Sequence, residues 1–537
     1  MAPLEGGQIW KQGIKLPHDS FLPRLNSPHP VPIVAKGDER SRHPLTAKLR
    51  SFPYQKVGQP GRSSLRAVVL AVLAVAAVGC RGNTTHSPNI VLITVDTLRA
   101  DRLNPYGYDA IETPAINQLT REAVVFENAF CDSTWTLPSI SSVMTGEYAI
   151  DHKVRSWHDR LADEFETIAE RLQKQGYLTA GIVGSCALDR HFGFAQGFDS
   201  YDDEMNKPLF LDPQGVLDDP AFEGKGTAND QWLLARLRSD AYRADDEVAD
   251  RAIEWLDRNG RQPFFLWVHF FGPHEKERPP KGASPEWVAE QIAAYDPAVE
   301  FMDRQVGRLL ERLRADARND QTAILFHSDH GQSLNEHGIF GHGTDLYDTT
   351  ARVPLIVSLP RQERAGQRVR RLVRNLDIFP TVLRLASGEV PADTVGHDLM
   401  ADGGAEDLTY LETYQLLGFA SEKEVAGKKL RIGPILRGVR SLQWKLIVRA
   451  PLAAGPPPGQ PVLPADFVAS ERQVQLFRVS NDSAERHDVA DANAQQVAKM
   501  MHTLDEFRDT PRQSPWQPSE LDEAAKERLR SIGYLDD

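Results

Sequence analysis

The chain has 537 residues, 41% of them hydrophobic, and a net charge of −13. That length suffices for one large α/β domain and a smaller one. Residues 1–79 hold 11 Lys and Arg against 4 Asp and Glu, a net of +7, so the remainder carries −20. Such an acidic remainder disfavours nucleic acid as a partner. Two of the three cysteines, Cys131 and Cys186, could form a disulfide or remain buried thiols.

The N-terminal 80 residues have the pattern of an export signal that follows an extension. Residues 1–61 are rich in proline and lack periodicity, which predicts disorder; a start codon assigned too early would explain them. Residues 62–80 comprise a basic segment, an apolar run that is short for a membrane span, and Cys80. The end of this run, Ala-Val-Gly-Cys, resembles a bacterial lipobox, which implies a lipid anchor on Cys80 and a tether over residues 81–88. We therefore expect an exported cell-envelope lipoprotein; an uncleaved anchor or a buried helix is the alternative.

Apolar segments alternate with helical patterns along the rest of the chain. The predicted strands are 89–96, 179–183, 264–269, 322–328 and 354–358, and the predicted helices include 167–174, 244–259 and 298–315. This alternation is typical of an α/β fold, a mainly parallel sheet with helices on both faces. We expect a catalytic domain over residues 89–400, with an insertion or lid over 202–231. A smaller α+β subdomain is expected over residues 401–537.

Two of the predicted strands end in carboxylates. The first ends at Asp96, and the fourth runs directly into Asp329, His330 and Gly331, with two further histidines in the glycine-rich loop that follows. A buried acid is costly without a cation, and α/β folds place their chemistry at the carboxyl ends of parallel strands. Carboxylate oxygens and an imidazole nitrogen suit a divalent metal ion, although each residue alone could equally cap a helix or form a turn.

A short helix is predicted between residues 133 and 146, with Pro138 near its start and Gly146 near its end. Thr136 would then lie at the helix N-terminus. The unpaired amides and the helix dipole at this end favour an anion, such as an alkoxide or the oxygens of a phosphate or sulfate group. The Thr136 hydroxyl could therefore be a nucleophile, or it could simply cap the helix.

Four motifs in a fixed order resemble a known family. They are Asp96 in Val-Asp-Thr-Leu-Arg-Ala-Asp, Thr136-Leu-Pro-Ser followed by Thr-Gly, Val-His-Phe-Phe-Gly-Pro-His ending at His274, and the block from Asp329-His330-Gly to Gly-His342-Gly. Together they resemble the sulfatase family of the alkaline phosphatase superfamily, with weaker matches extending over about residues 88–537. The resemblance implies an alkaline-phosphatase-like α/β fold and an ester-bond hydrolase.

Thr136 and Ile140 depart from the sulfatase pattern. Family sulfatases need Cys or Ser in place of Thr136, because an enzyme oxidises that residue to formylglycine, and they have Arg in place of Ile140. Their Gly-Lys-x-His segment is replaced here by residues that end in Ser185 and Cys186. A Thr nucleophile instead resembles the phosphodiesterases and the phosphoglycerol or phosphoethanolamine transferases of the superfamily.

The resemblance carries specific roles over to this chain. It implies that one divalent metal ion (Mn, Zn, Ca or Mg) is bound by Asp96, Thr136, Asp329 and His330, and that His274 and His342 touch the transferring group. We expect a metal-dependent hydrolase of sulfate or phosphate esters, with phosphate monoesters or diesters favoured because of Thr136. The substrate would be an anionic ester, such as a phosphorylated or sulfated lipid, glycan or small molecule. The alternatives are an arylsulfatase that works without formylglycine, a phosphoryl-group transferase and a metal-binding pseudoenzyme.

Overall fold

The structure is a computed structural model. It describes residues 87–208 without 156 and 158, then 236, 239–259, 263–274, 284–402 without 393, 408–413, 422–425, 428–431, 436–449 and 474–509. All of them belong to one compact unit, Thr84–Asp537. The predicted extension, the export signal with Cys80, most of the tether and most of the 202–231 insertion lie outside the described residues, so these features and the domain boundaries stay predictions.

The strands and helices follow one another in chain order. The strands are β1 Asn89–Val95, β2 Val124–Phe130, β3 Leu178–Val183, β4 Ser200–Asp202, β5 Phe264–Phe270, β6 Thr322–Ser328, β7 Ser333–Leu334, β8 Phe340–Gly341, β9 Arg352–Ser358, β10 Arg368–Arg374, β11 Leu408–Thr413, β12 Glu422–Val425, β13 Lys428–Arg431, β14 Leu436–Ser441, β15 Lys445–Arg449 and β16 Val474–Phe477. The α-helices are α1 Pro114–Arg121, α2 Thr136–Thr145, α3 Ala149–His152, α4 Ile168–Lys174, α5 Asp245–Asn259, α6 Pro285–Arg314, α7 Asp348–Ala351, α8 Ile378–Ser387 and α9 Ala494–Asp509.

Eight strands form the central sheet, in the order β10-β2-β9-β6-β1-β5-β3-β4. Its central strands β1, β5 and β6 pair in parallel, and every residue in them is buried. Strand β9 is antiparallel to both of its neighbours. Two hydrophobic clusters cover the sheet, one including helix α2 and the other including helices α5 and α6. This architecture confirms the predicted α/β fold with a mainly parallel sheet.

The sequence patterns missed three strands of this sheet, β2, the short β4 and β10. Strand β10, Arg-Val-Arg-Arg-Leu-Val-Arg, lies at the sheet edge, and its first four residues alternate between exposed and half-buried. Because four of its seven residues are arginine, a search for apolar segments does not detect it. Strand β2 has two half-buried polar residues at its centre. All five predicted strands are present. Cys131 and Cys186 are buried and free, so they form no disulfide.

A separate antiparallel sheet, β11-β14-β15-β16, lies in the C-terminal part of the chain. It shares a small core with helix α9, which contributes Met500 and Leu504. The predicted smaller element of mixed structure is therefore present. Across the described part of the chain, no helix combines the length and the apolar character that crossing a membrane requires.

Buried charges join this small sheet to the segment that follows β8. Lys445 of β15 is fully buried, and its Nζ lies 2.7 Å from Asp348 Oδ1 and 2.8 Å from Glu485 Oε1. Arg440 of β14 also binds Asp348, with 2.9 Å between Nη2 and Oδ2. Burial alone would raise the pKa of Asp348, but the two cations outweigh burial and hold that pKa well below its usual range.

This pairing predicts a large stability cost for Asp348→Asn. Because the substitution leaves Lys445 and Arg440 buried with less negative charge, we expect the free energy of unfolding at pH 7 to fall by about 3 kcal/mol, measured by urea denaturation. The Asp348 pKa is depressed in the folded state, so the contribution of Asp348 is complete above its unfolded pKa of about 4 and is lost as the pH falls further.

The matched control is Asp163→Asn, which breaks an exposed ion pair with Arg160. It should change the free energy of unfolding by less than about 1 kcal/mol. Equal effects of the two substitutions would show that the buried network does not carry the expected energy.

Candidate metal-binding active site

Asp96 and Asp329 lie side by side because two parallel strands end in register. Val95 of β1 pairs with Ser328 of β6, so the next residue on each strand is a carboxylate at the same edge of the sheet. The Asp96 amide donates a hydrogen bond to Phe270 O, 3.0 Å away, which continues the pairing of β1 with β5. Both acids are buried, with 1% and 0% of their surface exposed. The predicted meeting of the two strand ends is therefore present.

The backbone turns directly after β1 and β6, and the turns direct two backbone amides at Asp329. Thr97 has a φ of 56°, an unfavourable left-handed conformation for a β-branched residue. This turn lets the Thr97 amide donate to Asp329 Oδ1 at 3.2 Å, and the His330 amide donates to the same oxygen at 2.8 Å. Gly331 is required for close approach rather than for a left-handed turn, because a Cβ there would collide with the Thr349 carbonyl oxygen.

His330 faces both carboxylates with one ring nitrogen. Its Nε2 lies 3.7 Å from Asp96 Oδ1 and 3.4 Å from Asp329 Oδ2. Its Nδ1 lies 2.9 Å from Gly331 O, and a carbonyl only accepts, so Nδ1 carries the proton and Nε2 offers its lone pair. Burial lowers the pKa of His330 to about 3 and raises the pKa of Asp329 to about 7. His330 is thus a neutral imidazole, the form that binds metals.

Thr136 is the first residue of helix α2, as the sequence predicted. The preceding Trp135 is extended and makes no side-chain cap. Thr136 Oγ1 lies 3.3 Å from His330 Nε2, so its hydroxyl points at the acidic cluster instead of capping the helix. Ser139, one turn along, donates to Asp329 O at 2.7 Å and ties the helix to the end of β6. Gly146 ends the helix with a φ of 72°.

His274 and His342 lie next to this group. The His342 ring stacks on His330 with 4.7 Å between centroids and meets His274 edge-on at 4.9 Å. His274 also stacks on Phe271 at 4.5 Å. Gln332 Oε1 lies 2.9 Å from His342 Nδ1, and an amide oxygen only accepts, so Nδ1–H donates to Gln332. All six residues singled out from the sequence are therefore brought together.

The residues present fit a divalent cation. Asp96, Asp329 and His330 place their ligand atoms within 4.8 Å of one another. Among the described residues, no other group of three or more His, Cys, Asp or Glu residues does so. Asp329 Oδ2 is buried and accepts no hydrogen bond from the described residues. A buried acid with an unused oxygen beside a neutral imidazole is a donor set suited to a metal such as Zn²⁺ or Mn²⁺.

Some contributors carried no signal in the sequence. Asn375 donates through Nδ2 to Ser328 O at 2.8 Å and to Asp329 O at 3.2 Å, and it comes from a turn far along the chain. Gln332 and Ser139 are likewise ordinary polar residues until the fold places them. His337, in the same loop as His342, stacks on Tyr347 at 3.8 Å and serves packing instead.

Comparison with known proteins agrees with this fold. Residues 88–389 match the family described as Sulfatase, and residues 335–448 match the C-terminal region of N-sulphoglucosamine sulphohydrolase. The arylsulfatase of Clostridium perfringens is 25% identical over 412 residues, which cover 64% of this chain and 84% of that protein. The solved phosphonate monoester hydrolase of Agrobacterium radiobacter superposes with a TM-score of 0.57 at 19% identity, covering 78% of this chain and 95% of that one.

A third similar protein was solved in complex with its substrate D-glucosamine-2-N,6-O-disulfate. It superposes with a TM-score of 0.55 at 19% identity, over 79% of this chain and 97% of that chain. Because the family match spans more than half of its length, the chain belongs to the sulfatase family. The resemblance inferred from the motifs is confirmed, and the protein is an ester-bond hydrolase of that family.

The geometry predicts that either acid is needed for metal binding. We expect Asp96→Ala and Asp329→Ala to reduce bound metal from about one ion per chain to almost none, because each removes an anionic ligand from a small set. Elemental analysis after equilibration with Zn²⁺ or Mn²⁺ measures this. Asp132→Asn is the matched control: Asp132 is another buried acid, whose pKa burial raises to about 7, and it is not part of the cluster. Unchanged metal content in both alanine variants would refute the ligand assignment.

Proposed function

We propose that this protein is an exported, metal-dependent hydrolase that cleaves phosphate or phosphonate esters with Thr136 as its nucleophile. A single observation carries the proposal: a threonine hydroxyl at a helix N-terminus lies 3.3 Å from His330 Nε2, beside two buried carboxylates. Threonine cannot give the aldehyde that sulfatases use. Its own oxygen is the nucleophile that remains, and such a nucleophile suits phosphorus.

The surroundings of Thr136 support phosphorus over sulfur. Ile140 occupies the position at which sulfatases have arginine, and it is fully buried in the hydrophobic core. Ser185, in the segment that replaces Gly-Lys-x-His, accepts a hydrogen bond from the Ala187 amide and so serves a local turn. Two cationic groups of the sulfatase pattern are thus replaced. The phosphonate monoester hydrolase among the structural relatives agrees with a phosphorus substrate.

Asp96, Thr136, Asp329 and His330 would hold the metal. A divalent cation there lowers the pKa of a coordinated hydroxyl and polarises the substrate oxygen. The amides at the start of α2 favour the negative charge that develops on the transferring group. His342, oriented by Gln332, and His274 lie where they can bind the oxygens of that group.

The reaction proceeds in two displacements. Thr136 Oγ1, after losing its proton to solvent, attacks phosphorus, and the bond from phosphorus to the alcohol oxygen breaks. An imidazolium, for which we favour His342 protonated on both ring nitrogens, gives its Nε2 proton to the departing alcohol. Water then attacks the phosphorus of the Thr136 ester, returns a proton to that imidazole and frees the Thr136 oxygen. Two in-line displacements give net retention at phosphorus.

A panel of nitrophenyl esters tests the proposal. We expect turnover of phosphonate, phosphodiester or phosphate esters to exceed that of the sulfate ester, with added Mn²⁺, Zn²⁺, Ca²⁺ or Mg²⁺ compared. Thr136→Ala should lower kcat by about 10³-fold or more, whereas Thr136→Ser should retain part of the activity because it keeps the oxygen. Mass spectrometry with a slow substrate should find a phosphoryl group on Thr136.

Thr145→Ala is the control, because this residue ends the same helix and makes only local hydrogen bonds, donating to Ser141 O at 2.7 Å and accepting from the Glu147 amide at 3.3 Å. It should keep nearly full activity. Sulfate turnover far above every phosphorus ester would favour an arylsulfatase, and transfer to an added alcohol in preference to water would favour a transferase. Metal binding without any turnover would favour a pseudoenzyme.

Export through a lipidated Cys80 is part of the proposal and has its own test. The apolar run that ends at Cys80 supports it. Cys80→Ala should move the protein from the detergent phase to the aqueous phase of a membrane extract. Unchanged membrane association together with an uncleaved N-terminus would refute the lipid anchor.

A further inference from the structure

His269 is a buried histidine to which the reaction above gives no role. It is the penultimate residue of β5, pairs in register with Thr94 of β1, and has none of its surface exposed. Its Nε2 lies 3.9 Å from Asp96 Oδ2. The central parallel strands therefore bring this imidazole against the carboxylate that ends β1.

Neither ring nitrogen of His269 makes a hydrogen bond within the described residues. A buried polar group without a hydrogen bond costs about 1–3 kcal/mol, so its presence calls for an explanation. His327, on the neighbouring strand β6, has no such deficit. Its Nε2 lies 2.8 Å from Thr94 Oγ1 and its Nδ1 lies 3.0 Å from Ser328 O.

Asp96 is positioned between two imidazoles. Its Oδ1 lies 3.7 Å from His330 Nε2, and its Oδ2 lies 3.9 Å from His269 Nε2. One carboxylate oxygen is therefore the nearer one to His330, a proposed metal ligand, and the other is the nearer one to His269 of β5. Carboxylates that bind metals are commonly held by an outer hydrogen bond of this kind, and its loss typically weakens metal binding 10–100-fold.

We propose that His269 is a positioning residue for Asp96, whose Nε2–H holds Oδ2 so that Oδ1 is presented to the cation. The separation of 3.9 Å exceeds a direct hydrogen bond. The contact forms through one bridging water molecule, or directly after a shift of Asp96 when the cation binds. This inference rests on the metal site of the proposed function and adds a residue outside its four proposed ligands.

The competing explanation is that His269 only fills space. Its ring meets Trp267 edge-on, with 6.4 Å between centroids. A phenylalanine would serve that packing equally well and would remove the unsatisfied nitrogens. The two explanations therefore differ in what His269→Phe does to metal affinity.

The experiment measures the dissociation constants of Zn²⁺ and Mn²⁺, each alone, by competition with a chelating dye, using full chains stripped of metal. His269→Phe should weaken binding about 10–100-fold. His269→Gln should stay close to the wild type, because its amide nitrogen takes the place of Nε2. His269→Asn, whose amide corresponds to the Nδ1 position, should resemble His269→Phe.

Stability separates positioning from packing. His269→Phe should unfold, without metal, at a temperature no lower than the wild type. His327→Phe, the matched control, breaks two hydrogen bonds, so it should lower the unfolding temperature and leave metal affinity near the wild-type value. If His269→Phe does not fold, the comparison of Gln with Asn decides the question by itself.

The outcomes distinguish this inference from the proposed function. Wild-type metal affinity in His269→Phe, or equal affinity in the Gln and Asn variants, would overturn the positioning role alone. A wild-type chain that binds neither ion would refute the metal site and with it the role of His269.

Discussion

The structure depends on two carboxylates that parallel pairing brings together where water does not reach. Asp96 and Asp329 follow residues that pair in register, and both are buried. Two neighbouring anions in a poorly polarisable interior repel each other and lose their hydration. Burial raises the pKa of Asp329 to about 7 even though the His330 and Thr97 amides donate to it, so its ionised form is unfavourable without further compensation. A cation relieves this cost, so metal binding and folding should stabilise each other.

The central strands also carry buried polar side chains close to these acids, and hydrogen bonds among them offset the cost of their burial. Trp267 donates to Thr94 Oγ1 at 3.0 Å, Thr94 donates to His327 Nε2 at 2.8 Å, and His327 donates to Ser328 O at 3.0 Å. Burial lowers the pKa of His327 to about 4, so it accepts as a neutral ring. Each side chain in this series of hydrogen bonds has a partner. The ring of His269, which has none within the described residues, is therefore the exception.

The C-terminal sheet contacts two segments that carry residues of the candidate site. The Glu412 amide of β11 donates to Asp132 O at 2.8 Å, in the segment that leads to Thr136. Thr413 donates to Gly343 O at 2.7 Å, next to His342. Together with the Asp348–Lys445 ion pair, these contacts join the segment before Thr136 and the loop that carries His342 to the same small sheet. Catalytic groups must be held within a fraction of an ångström, and this sheet supplies that restraint for two loops at once.

The sequence alone determined the α/β class, the five main strands and the six residues that meet at the strand ends. It could do so because an apolar run that ends in an acid indicates both a buried strand and a candidate ligand from local sequence alone. The order of the four motifs, in turn, indicates the family. It did not reveal β10, whose charged residues suit an edge, nor that Cys131 and Cys186 remain unpaired. It also did not reveal Ser139, Gln332 and Asn375 as supports of the site. Only the tertiary structure decided these features, and it likewise decided the contact of His269 with Asp96. Strand register and packing bring together residues that are distant in sequence, and the local sequence around each one does not indicate its partner.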